Sequence, residues 1–215
     1  MRQTLRFLPL GLFLLPLFLL LPEARGAFIS WLRPTPIDTG YRMVNTRPSM
    51  ASVNGRPAMA YIGQSTDESL LFYQSAQDGD GAAWNPARPQ ALVFRSYRPI
   101  EGVSLAEVDG RPAILFIVAS DLLYTRATDD DGLSWETPRR VTPRQALRLS
   151  QPQLFVIDGA PVALYETRVR DSQTDWLGYR LWYVRAQDAT GAGWKAPVMA
   201  YLDEPATSHY AAAIV

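Results

Sequence analysis

A hairpin signal recurs three times along this chain, and its spacing constrains the fold more than any other feature. Each copy is a strand-like apolar run, an Asn-Gly or Asp-Gly dipeptide and a second run with a proline near its start; the dipeptides end at Gly55, Gly110 and Gly159, about 50 residues apart. These dipeptides favour a two-residue hairpin turn because both turn residues need positive φ. Proline cannot donate a ladder hydrogen bond, so we expect it at the first position of its strand.

A third strand and an acidic turn follow each hairpin. The third strands end in a tyrosine and the acidic turns close with a tryptophan: Tyr73 and Trp84, Tyr124 and Trp135, Tyr183 and Trp194. A fourth short strand is expected near residues 90–94, 139–142 and 198–202. Four antiparallel strands in a unit of about 50 residues are typical of a β-propeller blade. We therefore predict an all-β, partial β-propeller of about three blades, at residues 48–94, 103–142 and 152–202, after an extended lead-in at residues 27–47.

The acidic turn of the second unit resembles a motif of a known family. Residues 128–135 read Thr-x-Asp-x-Gly-x-Ser-Trp, which is similar to the Asp-box of the sialidase-type β-propellers, Ser/Thr-x-Asp-x-Gly-x-Thr/Ser-Trp. It lies between the third and fourth strands, where that family has it. The turns that close at Trp84 and Trp194 are degenerate copies. Three boxes in register with three hairpins indicate the fold.

We expect the box to be structural. The carboxylate of Asp130 can accept backbone N–H bonds within the turn, Gly132 takes the left-handed position and Trp135 packs between sheets. The alternative is a calcium site at residues 129–131, but Ca²⁺ requires 6–8 oxygen ligands, which consecutive residues of one turn do not easily supply. The three repeated tyrosines are likewise expected to pack rather than to react.

The repeat pattern stops before a propeller of this kind would close. Residues 208–215 resemble the first strand of a fourth unit, whereas a closed propeller needs at least four blades and the resemblance implies six. We expect the N-terminal half of a longer protein or, alternatively, a half-propeller that pairs with another copy through its open blade edges.

The first 26 residues have the pattern of an export signal. Arg2 and Arg6 precede an apolar segment at residues 7–21, and small residues precede a cleavage position after Gly26. An uncleaved membrane anchor is the alternative. Either way, we expect a periplasmic, extracellular or cell-surface location. The chain contains no Cys, so its core must hold the fold without disulfides.

Composition excludes several classes of function. The formal net charge is zero, with 21 Lys plus Arg and 21 Asp plus Glu, which gives no indication of nucleic-acid binding. His209 is the single histidine, so Ser–His or Cys–His nucleophilic machinery is not expected. No phosphate-binding glycine loop and no His/Cys metal spacing is present. We therefore predict no cofactor and no metal.

The resemblance implies catalytic features that this sequence does not match. Sialidases have an arginine triad, a Tyr/Glu nucleophilic pair, an acidic Asp and a Tyr/Phe-Arg-Ile-Pro motif. Residues 45–49 resemble the Tyr/Phe-Arg-Ile-Pro motif but lack the residue between Arg and Pro, and residues 94–100 do not match that motif either. Tyr165-Glu166 and Asp38 have suitable side chains but no motif around them. We therefore assign no catalytic residue.

Strand order places each loop on one of two rims. The arginine rim comprises the loops between second and third strands and the links between units; its arginines are Arg42, Arg47, Arg95, Arg98, Arg144, Arg148, Arg168 and Arg170. The acidic rim comprises the hairpin and acidic turns; its aspartates are Asp78, Asp80, Asp109, Asp129, Asp130, Asp131, Asp158 and Asp188, against Arg56 and Arg111. This distribution predicts a strongly polarised disc. In propellers of this family, ligands bind on the first of these rims.

The candidate ligand-binding residues lie on the arginine rim. Arginine forks recognise carboxylates in a bidentate manner, so we predict an acidic glycan or acidic protein partner for Arg95, Arg98, Arg144, Arg148, Arg168 and Arg170. Trp176 lies in the longest loop, residues 167–179, where an indole can stack on a sugar or anchor an interface. The alternative is that these are solvated loop charges and Trp176 covers a blade edge.

Three functions remain open from the sequence. The first is an exported, non-catalytic propeller segment for binding or assembly. The second is the N-terminal half of a sialidase-like glycoside hydrolase, and the third is a structural subunit anchored in a membrane by residues 5–32.

Overall fold

The structure, a computed structural model, describes residues 42–43, 47–84, 91–143, 148–170 and 177–202 of the 215-residue chain. Contacts divide the chain into two units, Met1–Arg33 and Pro34–Val215, and every described residue belongs to the second. The described strands are, in order, β1 (Arg42–Met43), β2 (Ser49–Val53), β3 (Arg56–Gln64), β4 (Ser69–Ser75), β5 (Ala91–Ser96), β6 (Ile100–Val108), β7 (Arg111–Val118), β8 (Asp121–Arg126), β9 (Arg139–Arg140), β10 (Arg148–Ile157), β11 (Ala160–Arg170), β12 (Leu177–Arg185) and β13 (Val198–Leu202).

These strands form three antiparallel sheets that follow the sequence repeat. The second sheet has the order β6-β7-β8-β9 and the third β10-β11-β12-β13. In the first sheet, β1 and β2 pair with opposite ends of β3 and together fill the position that β6 and β10 fill alone, followed by β4 and β5. The predicted all-β fold with four-stranded units is confirmed. The predicted signal segment and the fourth unit at 208–215 lie outside the described residues. Within the residues that the structure does describe, no helix has the length and apolar character to span a bilayer.

The three hairpin turns have the geometry that their dipeptides predict. Asn54, Asp109 and Asp158 have φ of 50°, 48° and 47°, and the glycine after each has φ between 70° and 72°. The prolines lie at the second strand position rather than the first, since Pro57 pairs with Ser52. That position suits proline because the hairpin closes one pair earlier, so the next pair needs no N–H donor across the ladder.

The core lies between successive sheets. One cluster joins the first and second sheets and includes Ile62, Leu71 and Phe116, while another joins the second and third sheets and includes Leu122 and Tyr165. A smaller cluster on the far side of the first sheet buries Met59, Tyr61, Leu70 and Phe72. The outer face of the first sheet is therefore buried, whereas an open row of blades is expected to expose an apolar face at its end. Exposed large apolar side chains are distributed over the described residues, and three of them lie on the outermost strand of the third sheet: Val198, Met199 and Tyr201.

The second and third acidic turns each pack against the tyrosine of the preceding sheet. Tyr73 packs edge-on against Trp135 with a centroid distance of 5.4 Å, and Tyr124 packs on Trp194 at 5.3 Å. A Cβ on Gly132 would lie 2.4 Å from Cε1 of Tyr73. Burial in this joint raises the pKa of Tyr73 to about 12. The predicted packing role of these aromatic residues thus has a specific geometry: the glycine leaves room for the neighbouring ring.

The carboxylate that holds the second acidic turn belongs to Asp129, not to Asp130. Asp129 accepts the backbone N–H groups of Leu133 and Ser134 at 2.9 and 2.7 Å. Asp130 instead pairs with Arg111 at 3.1 Å. The structural role assigned to Asp130 was therefore one position too late, because the N–H groups that need an acceptor lie four and five residues beyond Asp129. Asp78 and Asp188 occupy the equivalent position and also accept backbone N–H bonds.

Candidate functional site

Four of the eight aspartates on the acidic rim are in ion pairs among the described residues. These pairs are Arg56–Asp131 at 3.0 Å, Arg111–Asp130 at 3.1 Å, Arg126–Asp109 at 2.9 Å and Arg185–Asp158 at 3.7 Å. Arg126 and Arg185 come from the ends of third strands, which the sequence-based sorting of charges left out. The disc is therefore less polarised than the sequence predicted.

On the arginine rim, the arginines whose side chains the structure describes are exposed and weakly paired. Arg95 lies 3.9 Å from Glu68 and Arg148 lies 3.5 Å from Glu101, and both side chains are more than 60 % exposed. Arg98 and Arg168 are exposed too and form no ion pair within the part of the chain that the structure describes. Exposed pairs of this kind contribute about 0–1 kcal/mol, so these forks remain available to a ligand. Arg144, Trp176 and the side chain of Arg170 lie outside the described residues.

A row of polar side chains crosses three strands where the third sheet meets the arginine rim. Arg148 of β10 pairs in register with Arg168 of β11, which in turn pairs with Tyr179 of β12. Directly opposite residues in antiparallel strands have Cβ atoms roughly 4.5–5.5 Å apart, and like charges at such positions repel each other. An anion held between the two guanidinium groups would remove that repulsion.

A buried carboxyl lies one row below the arginine pair. Glu166 pairs in register with Ser150 and is 8 % exposed, and the hydroxyl of Ser150 lies 3.4 Å from its carboxyl oxygen. Burial raises the pKa of Glu166, and the contact with Ser150 offsets part of that rise. The equivalent positions in the other two sheets hold Ile62 and Ile117, both 1 % exposed. Sequence reasoning found no motif around Glu166, but Glu166 lies seven residues after its turn glycine, as Ile62 and Ile117 do, and is the charged residue at this apolar position.

The described residues hold no arrangement of three or more His, Cys, Asp or Glu side chains that could bind a metal ion. The exposed arginine forks of the rim can recognise an oxyanion, and a carboxyl of raised pKa lies beside them.

Comparisons with known proteins bear on the fold. No protein-family model matches the chain, and no curated protein matches it either. Among solved structures, it resembles an endo-arabinase from Bacteroides thetaiotaomicron VPI-5482 with a TM-score of 0.50 and 12% identity, covering 72% of this chain and 61% of that chain. It also resembles an alpha-L-arabinanase from Cellvibrio cellulosa, with a TM-score of 0.46 and 12% identity, over 67% of this chain and 53% of that chain.

The chain is a partial β-propeller. Its three sheets are the blades, and it spans about three fifths of the length of the endo-arabinase that it resembles. At this level of identity the likeness extends to the fold alone. It supports a propeller but not the sialidase type in particular, so the Asp-box assignment stays a prediction.

Proposed function

We propose that this propeller segment binds acidic glycans through the row formed by Arg148, Arg168 and Tyr179. The observation that supports the proposal most strongly is the direct cross-strand pairing of the two arginines. Two forks at neighbouring positions match the two oxygens of a carboxylate, and the phenol ring beside them offers a face or a hydroxyl to a sugar. The alpha-L-arabinanase from Cellvibrio cellulosa has been solved in complex with arabinohexaose. That complex concerns the arabinanase, and glycan binding by a propeller is consistent with the proposal.

Single substitutions test this function. We expect Arg148→Ala and Arg168→Ala each to weaken binding of a uronic-acid oligosaccharide about tenfold or more, since a hydrogen bond to a charged group contributes about 1.5–3 kcal/mol. Lys195→Ala is the matched control, because Lys195 is an exposed cation that follows the acidic turn of the third blade on the opposite rim. Isothermal titration calorimetry measures the affinities. Equal affinities in all three variants and the unmodified chain would contradict the proposal.

As a second candidate function, the chain forms part of a glycoside hydrolase. The Asp-box resemblance makes a sialidase-like hydrolase the form that this candidate takes. The observation in its favour is Glu166, a buried carboxyl with a raised pKa beside the arginine row. Such a group can serve as a general acid. Release of a chromogenic aglycone from a glycoside, abolished in Glu166→Gln but retained in Lys195→Ala, would support this function. Absence of release by the unmodified chain, despite glycan binding, would favour the non-catalytic alternative.

Export and membrane attachment are proposals of their own. The segment at residues 1–26 is proposed as a cleaved signal, and a retained anchor within residues 5–32 is the alternative. N-terminal sequencing of the mature protein distinguishes them: a new N-terminus near Ala27 supports cleavage, and an intact Met1 supports the anchor.

A further inference from the structure

Another arginine near the arginine rim, Arg180, lies on the face of the third blade opposite to that of Arg148 and Arg168. Arg180 of β12 is half-buried, and its Nε atom is buried without a hydrogen-bond partner. Within the described residues it also forms no ion pair with an Asp or Glu. Buried donors are nearly always satisfied in native proteins, and one that is not requires an explanation such as a bound ion. This arginine therefore differs from Arg98 and Arg168, which are exposed to water.

The surroundings of Arg180 supply further recognition groups. Arg180 pairs in register with Thr167 of β11, which is fully buried. The hydroxyl oxygen of Thr167 accepts the indole N–H of Trp182 at 2.9 Å, and its own hydrogen remains available as a donor. Trp182 lies two residues from Arg180 on the same face of the strand, and Tyr165 stacks on it with a centroid distance of 6.4 Å and an interplanar angle of 12°. The indole is therefore fixed in position.

Arg180 lies on the face of the third blade that packs against the second blade. Trp182 belongs to the apolar cluster that joins the second and third blades, together with Ile117 and Val141. Arg180 lies on the side of Trp182 that is nearer the arginine rim. A guanidinium beside apolar side chains attracts an anion more strongly than one in bulk water, because the effective dielectric is lower. Alternation along β12 places Arg180 and Tyr179 on opposite faces, so the surroundings of Arg180 are separate from the row of Arg148 and Arg168.

We propose that Arg180, Thr167 and Trp182 form a binding site for an oxyanion group that enters between the second and third blades. The guanidinium pairs with the anion through its fork, the Thr167 hydroxyl donates to it, and the indole packs against the apolar part of the ligand. A carboxylate of an acidic sugar and a free inorganic oxyanion share this chemistry.

Arginine-side-chain ¹⁵N NMR tests the site directly. The Nε–H resonance of Arg180 is assigned as the one lost in Arg180→Lys, and the protein is titrated separately with inorganic phosphate and with a uronic-acid disaccharide at constant ionic strength. We expect a saturable shift with at least one ligand. Saturation by phosphate alone identifies a free-oxyanion site, and saturation by the disaccharide identifies a sugar carboxylate site. A resonance that neither ligand shifts, or that shifts without saturation, would overturn the proposal.

Affinity measurements separate this site from the arginine row. We expect Arg180→Lys to weaken binding of the saturating ligand about tenfold or more, because lysine lacks the fork and the buried Nε donor. Lys195→Ala, the exposed cation on the opposite rim, should leave that binding within a factor of about two. Unchanged affinity in Arg180→Lys would refute the site at Arg180 and leave the proposal for Arg148 and Arg168 intact.

Discussion

Substitution of Gly132 by alanine tests whether the blades are joined by the contact between acidic turn and tyrosine. Gly132 has φ of +71°, and an added Cβ would lie 2.4 and 2.8 Å from two ring carbons of Tyr73. Tyr73 is 2 % exposed and packs against Trp135, so its ring has little room to retreat. Gly110 is the matched control because its φ is +72° and an added Cβ would meet nothing within 4 Å.

The two substitutions share one cost and differ in the other. The left-handed backbone conformation costs a non-glycine residue about 1–2 kcal/mol, which applies to Gly110→Ala and Gly132→Ala alike. Overpacking a filled core costs about 1–3 kcal/mol more, and only Gly132→Ala incurs it. We therefore expect Gly132→Ala to lower the free energy of unfolding by about 2–5 kcal/mol. The corresponding loss for Gly110→Ala is about 1–2 kcal/mol.

Thermal and urea unfolding followed by circular dichroism measure the difference. For a domain of this size, 1 kcal/mol shifts Tm by about 2–4 °C, so Gly132→Ala should unfold about 2–12 °C below Gly110→Ala. The double variant Gly132→Ala with Tyr73→Leu should lose most of that excess, since the clashing ring is gone. Equal losses in the two glycine variants, or an excess unaffected by Tyr73→Leu, would refute the joint.

Three further predictions concern carboxylates. Asp129→Ala should destabilise the chain by about 1–3 kcal/mol because two backbone N–H groups lose their acceptor. Asp130→Ala should cost less than about 1 kcal/mol because its pair with Arg111 is exposed. If urea unfolding showed the larger loss for Asp130→Ala, Asp130 and not Asp129 would be the residue that holds the turn. Burial alone would raise the pKa of Asp188, but the hydrogen bonds that it accepts lower it to about 2 from 3.8. Its stabilisation is thus complete above pH 3.8 and is lost as the pH falls towards 2, and Asp188→Asn should flatten this acid limb of stability against pH. Because the pKa of Glu166 is raised in the folded chain, its contribution to stability is most favourable below pH 4.5 and is lost as the pH rises through the folded pKa. Glu166→Ile should therefore stabilise the chain by about 1–3 kcal/mol at neutral pH. A loss of stability in this variant would show that the hydrogen bonds of the carboxyl are well satisfied.

The repeat made the fold predictable from the sequence. Asn-Gly and Asp-Gly turns fix the hairpins by local backbone chemistry, and the alternation of apolar residues fixes which face of each strand packs on the next sheet. Both signals act over a few residues, so they survive without knowledge of tertiary contacts. The role of Asp129 did not follow from the motif, because the motif spacing selects Asp130 and the directions of the backbone N–H groups are known only from the fold.

The site was less predictable because it depends on pairing between distant strands. That Arg148 and Arg168 lie on one rim follows from strand order, but their direct opposition depends on the register of β10 and β11, which includes a bulge between Ser150 and Gln153. Two of the four ion pairs on the acidic rim involve Arg126 and Arg185, which lie at strand ends and which a sorting of loops ignores. Arg180 was missed since nothing local distinguishes a half-buried arginine from a solvated one.

The most direct test of the account compares two ligands on the unmodified chain. Calorimetric titration with an acidic oligosaccharide and with a neutral one of equal length, each at low and high salt, isolates the contribution of the arginine rim. We expect binding of the acidic ligand only, with an affinity that falls as salt screens the charges. Equal affinity for both ligands, or none for the acidic one at low salt, would contradict the assignment of this rim as an anion-recognition surface.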